Sequence, residues 1–281
     1  MTLQEKIKRL FEEQTKDWEQ LNIAVKQLES IKTKEFDWGA NNKVILQFNP
    51  GRIVSSSSNV DVKSIEARPC FLCKENRPTV QKGIEFLDKY IILANPFPIL
   101  ENHLTIPIYS HVPQRLRKKI GDMLALMQEL KDYVVFYNGP KCGASAPDHF
   151  HLQAGLKTDI LIQGDNDLRS CFMLEGDSKE EIQEIFEDIY FYLNKRQQEE
   201  EEEPMMNVIG FMEDNKYILH IFPRKAHRPR QYFDEGKRKL MISPGALDMA
   251  GLIITAREED FDKIKKEDIE DIYSQVSMSV I

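Results

Sequence analysis

Gly143-Ala-Ser-Ala-Pro-Asp-His149-Phe-His151-Leu-Gln153 is the stretch whose reading decides both the fold and the chemistry of this chain. Alternating polar and apolar residues behind a loop with glycine and proline predict a strand over 149–155. Side chains at i, i+2 and i+4 of a strand share one face, so His149, His151 and Gln153 point one way while Phe150 and Leu152 point into packing. A neutral imidazole attacks phosphorus as a nucleophile, and an amide two residues on hydrogen-bonds a phosphoryl oxygen without competing for the proton. Gly143 and Ser145, in the loop before them, offer backbone N–H groups and a hydroxyl to the other oxygens of a phosphate. Two histidines on a strand also occur as an ordinary polar sheet face, but a glycine loop before them and an amide after them favour a site. A non-catalytic nucleotide-binding protein with a structural metal is the rival reading. His151 and Gln153 together weigh against it, since a sensor needs no nucleophile.

Outward from this motif, Tyr133 to Tyr137 reads as the preceding strand, and Tyr90 to Ala94 and His103 to Ile108 as two earlier ones around the turn Asn95-Pro96-Phe97-Pro98. Leu116, Ile120, Met123, Leu124, Met127 and Leu130 recur at helical spacing, which predicts a helix over Val112 to Lys131. Val44 to Phe48 predicts a strand ended by Asn49-Pro50-Gly51, with Arg52 just beyond and a polar connector at Ser55 to Ser58. Residues 1–31 carry apolar positions at helical intervals and read as one or two surface helices. After a helix near Ser178 to Lys195, the run Gln197 to Glu203 has five consecutive glutamates, expected to repel one another and stay solvated as a linker. Asn207 to Met212, Tyr217 to Phe222 and Leu252 to Thr255 then predict strands, and Asp260 to Ser274 a closing helix. The expected organisation is a helical segment at 1–40, a catalytic half at 41–196, the linker at 197–204 and a second half at 205–281.

The chain has 281 residues, 41% hydrophobic and 30% charged, with a formal charge of −8. That charge gives no net positive field for a phosphate backbone, which argues against nucleic acid as a partner. The N-terminus lacks the basic end and apolar block of a signal peptide, and no run of about 18 apolar residues could cross a bilayer. A cytoplasmic protein without membrane contact is expected. Its four cysteines are too few to staple this length, so reduced thiols or a metal site are expected. Cys70-Phe-Leu-Cys73 lets two thiolates grip one ion but needs two more ligands, and two reduced structural cysteines are the plainer alternative.

His-Phe-His-Leu-Gln resembles the His-x-His-x-Gln motif of the transferase branch of the histidine-triad superfamily, to which galactose-1-phosphate uridylyltransferases, diadenosine tetraphosphate phosphorylases and GDP-hexose phosphorylases belong. Asn95-Pro-Phe-Pro with Glu101-Asn-His103-Leu-Thr-Ile-Pro107, Asn138-Gly139, Asn49-Pro-Gly-Arg52 and Ser243-Pro-Gly-Ala-Leu-Asp-Met-Ala-Gly251 resemble further parts of that branch. The resemblance implies an α+β fold of two packed histidine-triad-like halves, with antiparallel sheet, flanking helices and a degenerate second half. It implies His151 as nucleophile and Gln153 as the phosphate-stabilising amide, with Arg52, Asn95, Asn138, Gly143 and Ser145 toward substrate. It also implies a structural zinc on Cys70, Cys73, His111 and His149, with His103 the substitute for His111. The reaction implied is that of a nucleotidyltransferase of phosphorylase type. It would pass a nucleotide from an NDP-sugar or dinucleoside polyphosphate to phosphate or a sugar phosphate, and a second copy of the chain is a compatible partner. A sugar-1-phosphate nucleotidylyltransferase is the alternative within the same chemistry. The extra residue Asp148 before the first histidine departs from the uridylyltransferase pattern and resembles the phosphorylases.

His220, His227, Arg224, Lys225, Arg228 and Arg230 form a basic stretch, expected to be mostly a solvated loop with one or two side chains reaching an anion.

Overall fold

Tyr133–Asn138 is buried at every position, as in a strand covered on both faces. Tyr133, Val135 and Tyr137 enter one apolar cluster, and Val134 and Phe136 enter another. This strand is therefore a partition, and both layers are built around it. The computed structural model describes residues 1–39, 42–53, 61–157, 160, 162–164, 167–197 and 203–280. Ser55 to Ser58, read as a polar connector, lie outside the described residues.

In chain order the strands are β1 Lys32–Asp37, β2 Lys43–Phe48, β3 Gly83–Phe86, β4 Tyr90–Ala94, β5 Leu104–Pro107, β6 Tyr133–Asn138, β7 His151–Leu156, β8 Phe172–Gly176, β9 Met206–Glu213, β10 Lys216–Pro223 and β11 Leu252–Thr255. The helices are α1 Leu3–Asp17, α2 Glu19–Leu28, α3 Val62–Glu66, α4 Ile120–Glu129, α5 Lys179–Arg196, α6 Ala246–Ala250, α7 Glu258–Lys263 and α8 Lys266–Val276. An eight-stranded sheet runs in the order β3-β4-β5-β7-β6-β9-β10-β8, and a smaller one in the order β1-β2-β11. The large sheet is antiparallel throughout, whereas β11 joins β2 in parallel. The fold is α+β, with antiparallel sheets and flanking helices. Because β8 precedes the acidic run and pairs with β10 beyond it, one sheet includes strands from both sides of that run.

One face of the large sheet is covered by Ile7 and Phe11 of α1, Met123, Leu124 and Met127 of α4, and Ile182, Phe186 and Leu193 of α5. Each large side chain buried there contributes about 1.5–3 kcal/mol. The other face meets the small sheet through Val44, Leu46 and Ile253, and the C-terminal helices through Phe261, Ile269 and Tyr273. Thr2 caps α1 in a reciprocal capping box with Glu5. The Gln14 amide docks that helix on the chain before β3, donating to Val80 O and accepting from Lys82 N. Among the described residues, no helix is long and apolar enough to cross a membrane.

Several expectations are corrected. The helix expected from Val112 is an α-helix only over Ile120–Glu129, preceded by a 3-10 turn at Arg117–Lys119. Residues 112–116 run irregularly instead, because Val112 O accepts from Phe150 N and Gln114 N donates to Pro147 O. Such partners outweigh a helical apolar spacing. The closing helix is divided into α7 and α8, with Ile264 and Lys265 extended between them. Strands β1, β3 and β8 go beyond the sequence expectation, and all three lie at sheet edges. Glu203, assigned to a solvated linker, is only 5% exposed. Its carboxylate accepts from the amides of Leu116 and Arg117 and from the Tyr137 hydroxyl.

Candidate active site and metal cluster

β7 begins at His151 rather than His149. Alternation holds from there on: Leu152 and Ala154 join the cluster under α4 and α5, while His151 and Gln153 line a cavity of about 820 Å³ on the opposite face. His149 precedes the strand, and its ring turns away to the thiols of Cys70 and Cys73. The three side chains expected on one face therefore divide between two sites.

His151 Nδ1 lies 2.8 Å from the carbonyl oxygen of His149 and donates to it. This fixes the tautomer and leaves Nε2 with its lone pair. Burial, with the ring only 3% exposed, pushes its pKa down to about 4, so the imidazole is neutral. Gln153 is oriented from behind. The Nδ1 of His103 accepts from Ile99 N at 3.0 Å, so its proton sits on Nε2, which donates to Gln153 Oε1 at 3.0 Å. Burial pushes His103 down to about 3 and keeps it neutral. With its oxygen engaged, the Gln153 amide has its NH₂ available to a ligand.

Arg52, Asn95, Asn138, Gly143 and Ser145 all line the same cavity. Arg52 donates from Nη1 to Phe97 O at 2.8 Å and has no ion pair among the described residues. Desolvation pulls it down to about 10, still charged at neutral pH, and a half-buried guanidinium with no ion pair among the described residues attracts an anion. Asn95 closes an Asx turn, accepting from Phe97 N and donating to Thr105 Oγ1. Asn138 Oδ1 accepts from Asn207 Nδ2 and from Ala246 N, so half of that amide joins the first part of the chain to the last. Gly143 has φ +96°, and a Cβ there would lie 2.8 Å from Gly245 Cα. Only glycine permits that approach.

Arg68, Ser243 and Asp248 also line the cavity, and sequence reasoning gave a role to none of them, although Ser243 and Asp248 lie in the segment Ser243 to Gly251 that carries part of the resemblance. Arg68 donates to Ser145 O at 2.7 Å and stacks over Phe71, and no spacing signal marks it out. Asp248 accepts from Gly245 N and Ile254 N, and burial pushes its carboxyl up to about 6. The basic stretch expected to be mostly solvated is exposed only at Lys225 and Arg230, with His227 and Arg228 half-buried and His220 and Arg224 buried. Arg224 is 2% exposed and donates to the oxygens of Asn207, Pro244, Ala226, His227 and Val276, while His220 lies between the rings of Phe211 and Phe222.

The remaining motif residues meet at a second point. Ligand atoms of Cys70, Cys73, His111 and His149 all lie within 4.8 Å of one another, and these four can hold a metal ion. The sulfur to Nδ1 separations are 3.3 Å for Cys70 with His149, 3.5 Å for Cys73 with His149 and 3.2 Å for Cys73 with His111. Two ligands of a tetrahedral S/N site stand about 3.5 Å apart, so the donors fit in kind and spacing. Each imidazole is steadied at its far nitrogen, His149 Nε2 by Ile108 O at 2.8 Å and His111 Nε2 by Asp148 Oδ2 at 3.3 Å. The additional residue Asp148 thus has a place in this cluster. His103, the substitute ligand, lies instead against Gln153.

Residues 10–156 match the family described as a domain of unknown function, DUF4922. The chain belongs to this family. The DUF4922 stretch runs from α1 to the end of β7, so it contains the Cys/His cluster, His151 and Gln153, but not Ser243 or Asp248. No protein with a curated description matches the chain. Among solved structures, the chain is similar to yeast Ap4A phosphorylase Apa2 in complex with AMP, with a TM-score of 0.61 and 18% identity over 99% of both chains. The same yeast protein in complex with Ap4A gives a TM-score of 0.57 and 15% identity, covering 92% of this chain and 97% of that one. A third structure of Apa2 gives 0.58 and 17%, covering 92% and 96%. These likenesses establish a shared fold along nearly the whole length.

Proposed function

We propose that this chain is a dinucleoside polyphosphate phosphorylase that works through a nucleotidyl group carried on His151. The observation that carries the reading is the His151 ring itself, its Nδ1 tied to the His149 carbonyl and its Nε2 left free at a cavity edged by the Gln153 amide and Arg52. The whole-length likeness to a protein titled Ap4A phosphorylase, solved with AMP and with Ap4A, supports the substrate class.

In the first step His151 Nε2 attacks the α-phosphorus, forming an N–P bond as the P–O bond to the departing nucleoside polyphosphate breaks. In the second, an oxygen of inorganic phosphate attacks the same phosphorus, the N–P bond breaks, and a nucleoside diphosphate leaves. Two inversions retain configuration. The Gln153 NH₂ donates to the phosphoryl oxygen as charge moves onto it, and Arg52 and Arg68 offset the charge of the polyphosphate. Zinc is the ion proposed for the Cys/His cluster. All four ligand positions are filled by protein, so it would hold Cys70-Phe-Leu-Cys73 to the His149 end of the nucleophile's loop and take no part in the chemistry. Reduced metal-binding thiols suit a reducing compartment such as the cytoplasm.

Product analysis tests the reading. Purified protein given Ap4A should release ATP and ADP in the presence of phosphate and little AMP without it. Phosphorolysis of an NDP-sugar with Ap4A untouched would move the substrate class, and no turnover of either would refute the reading.

A further inference from the structure

β7 leaves His151 without ordinary strand neighbours. On one side it faces Pro107 of β5 in a non-hydrogen-bonded pair, with both its N–H and its C=O turned away from β5. On the other, pairing with β6 stops at Phe136 and Gln153, two residues short of where Asn138 would face His151. The fully buried carboxamide of Gln114 fills that gap. Its Nε2 donates to Asn138 O and to His151 O, both at 3.0 Å, and its Oε1 accepts from His151 N at 2.8 Å. A single side-chain amide thus supplies the donor and the acceptor that a neighbouring strand would have presented.

Gln114 is itself held on both sides. Its N–H donates to Pro147 O, and its carbonyl accepts from the Tyr137 hydroxyl, which also meets Glu203. Glu203 in turn accepts from Leu116 N at 2.6 Å, pinning the chain two residues beyond Gln114.

We propose that Gln114 is the positioning residue of the nucleophile. Its amide holds β6 and β7 apart at the cavity's edge and fixes both peptide groups flanking the His151 Cα. With Nδ1 tied to the His149 carbonyl, this settles the direction of Nε2. The inference rests on the reading of His151 as nucleophile, but the clamp itself is a matter of hydrogen bonding. Misplacing a reacting atom by about 1 Å costs about a hundredfold in rate.

Gln114→Leu has a similar volume and can bridge nothing. In that variant kcat for Ap4A phosphorolysis should fall about a hundredfold while the Kd for AMP changes less than about threefold. Hydrogen exchange at the His151 amide, read by NMR, should accelerate at least about tenfold, with amides of the β9–β10 ladder unchanged. Gln114→Met takes its place if the leucine variant does not fold. An undiminished kcat, or a loss of kcat matched by an equal loss of AMP affinity, would overturn the positioning role. Unchanged exchange at His151 would overturn the clamp even if the wild-type chain transfers no nucleotide, so the two readings fail separately.

Discussion

His103 Nε2 stands 3.0 Å from Gln153 Oε1, and this contact decides which end of the glutamine amide the cavity receives. Without the imidazole behind it the amide can turn over, presenting an oxygen where the proposed reaction places a phosphoryl oxygen. Removing one donor to a developing oxyanion costs about 10²–10³ in kcat. His103→Leu should therefore lower kcat by about a hundredfold and leave the affinity for AMP nearly unchanged. Initial rates across donor concentrations check this, and a rise in KM with kcat intact would contradict it.

The Cys/His cluster should hold about one zinc per chain, measured by elemental analysis on protein purified without chelator. Cys70→Ser should lower the melting temperature by about 10 °C, since breaking a tetrahedral site removes several kcal/mol and each shifts a chain of this size by about 2–4 °C. Asp148→Asn should weaken zinc about tenfold or more in competition with a chelator, because the carboxylate steadies His111. Metal-free protein of undiminished stability would remove the zinc assignment.

Glu203 gives a pH signature. Burial raises its carboxyl from the ordinary 4.5 to about 7, so the folded chain binds this proton more tightly than the unfolded chain. Its stabilising share is full below about pH 4.5 and is lost as pH rises through about 7, a difference of up to about 3 kcal/mol. Glu203→Gln has no proton to lose there. Urea unfolding at pH 5.5 and pH 8 should show the wild type losing more stability over that interval than the variant. Parallel losses would mean that the carboxyl is ionised throughout.

Alternation around His151 was readable in the sequence because β7 is covered on one face and open to a cavity on the other, so Leu152 and Gln153 had to differ. The central strands were readable for a related reason, since Tyr133–Asn138 is apolar at five of six positions. Gln114 and Glu203 were not readable. Each has the residue type and neighbours of a surface position, and only the turn that brings residues 112–116, 137 and 203 together buries them. His103 was ambiguous for another reason: an imidazole near Pro107 serves equally as a metal ligand or a hydrogen-bond donor, and its distance from Gln153 decided between them.

Trapping the intermediate tests the account most directly. Protein given α-labelled Ap4A without phosphate, then digested in base, should carry an acid-labile, base-stable nucleotidyl group on the peptide containing His151. His151→Ala should carry none. Added phosphate should discharge the group as ADP far faster than water releases AMP, because Gln153 cannot shuttle a proton to activate water. Turnover of Ap4A with no such adduct, or AMP formed in plain buffer at the rate seen with phosphate, would contradict the account.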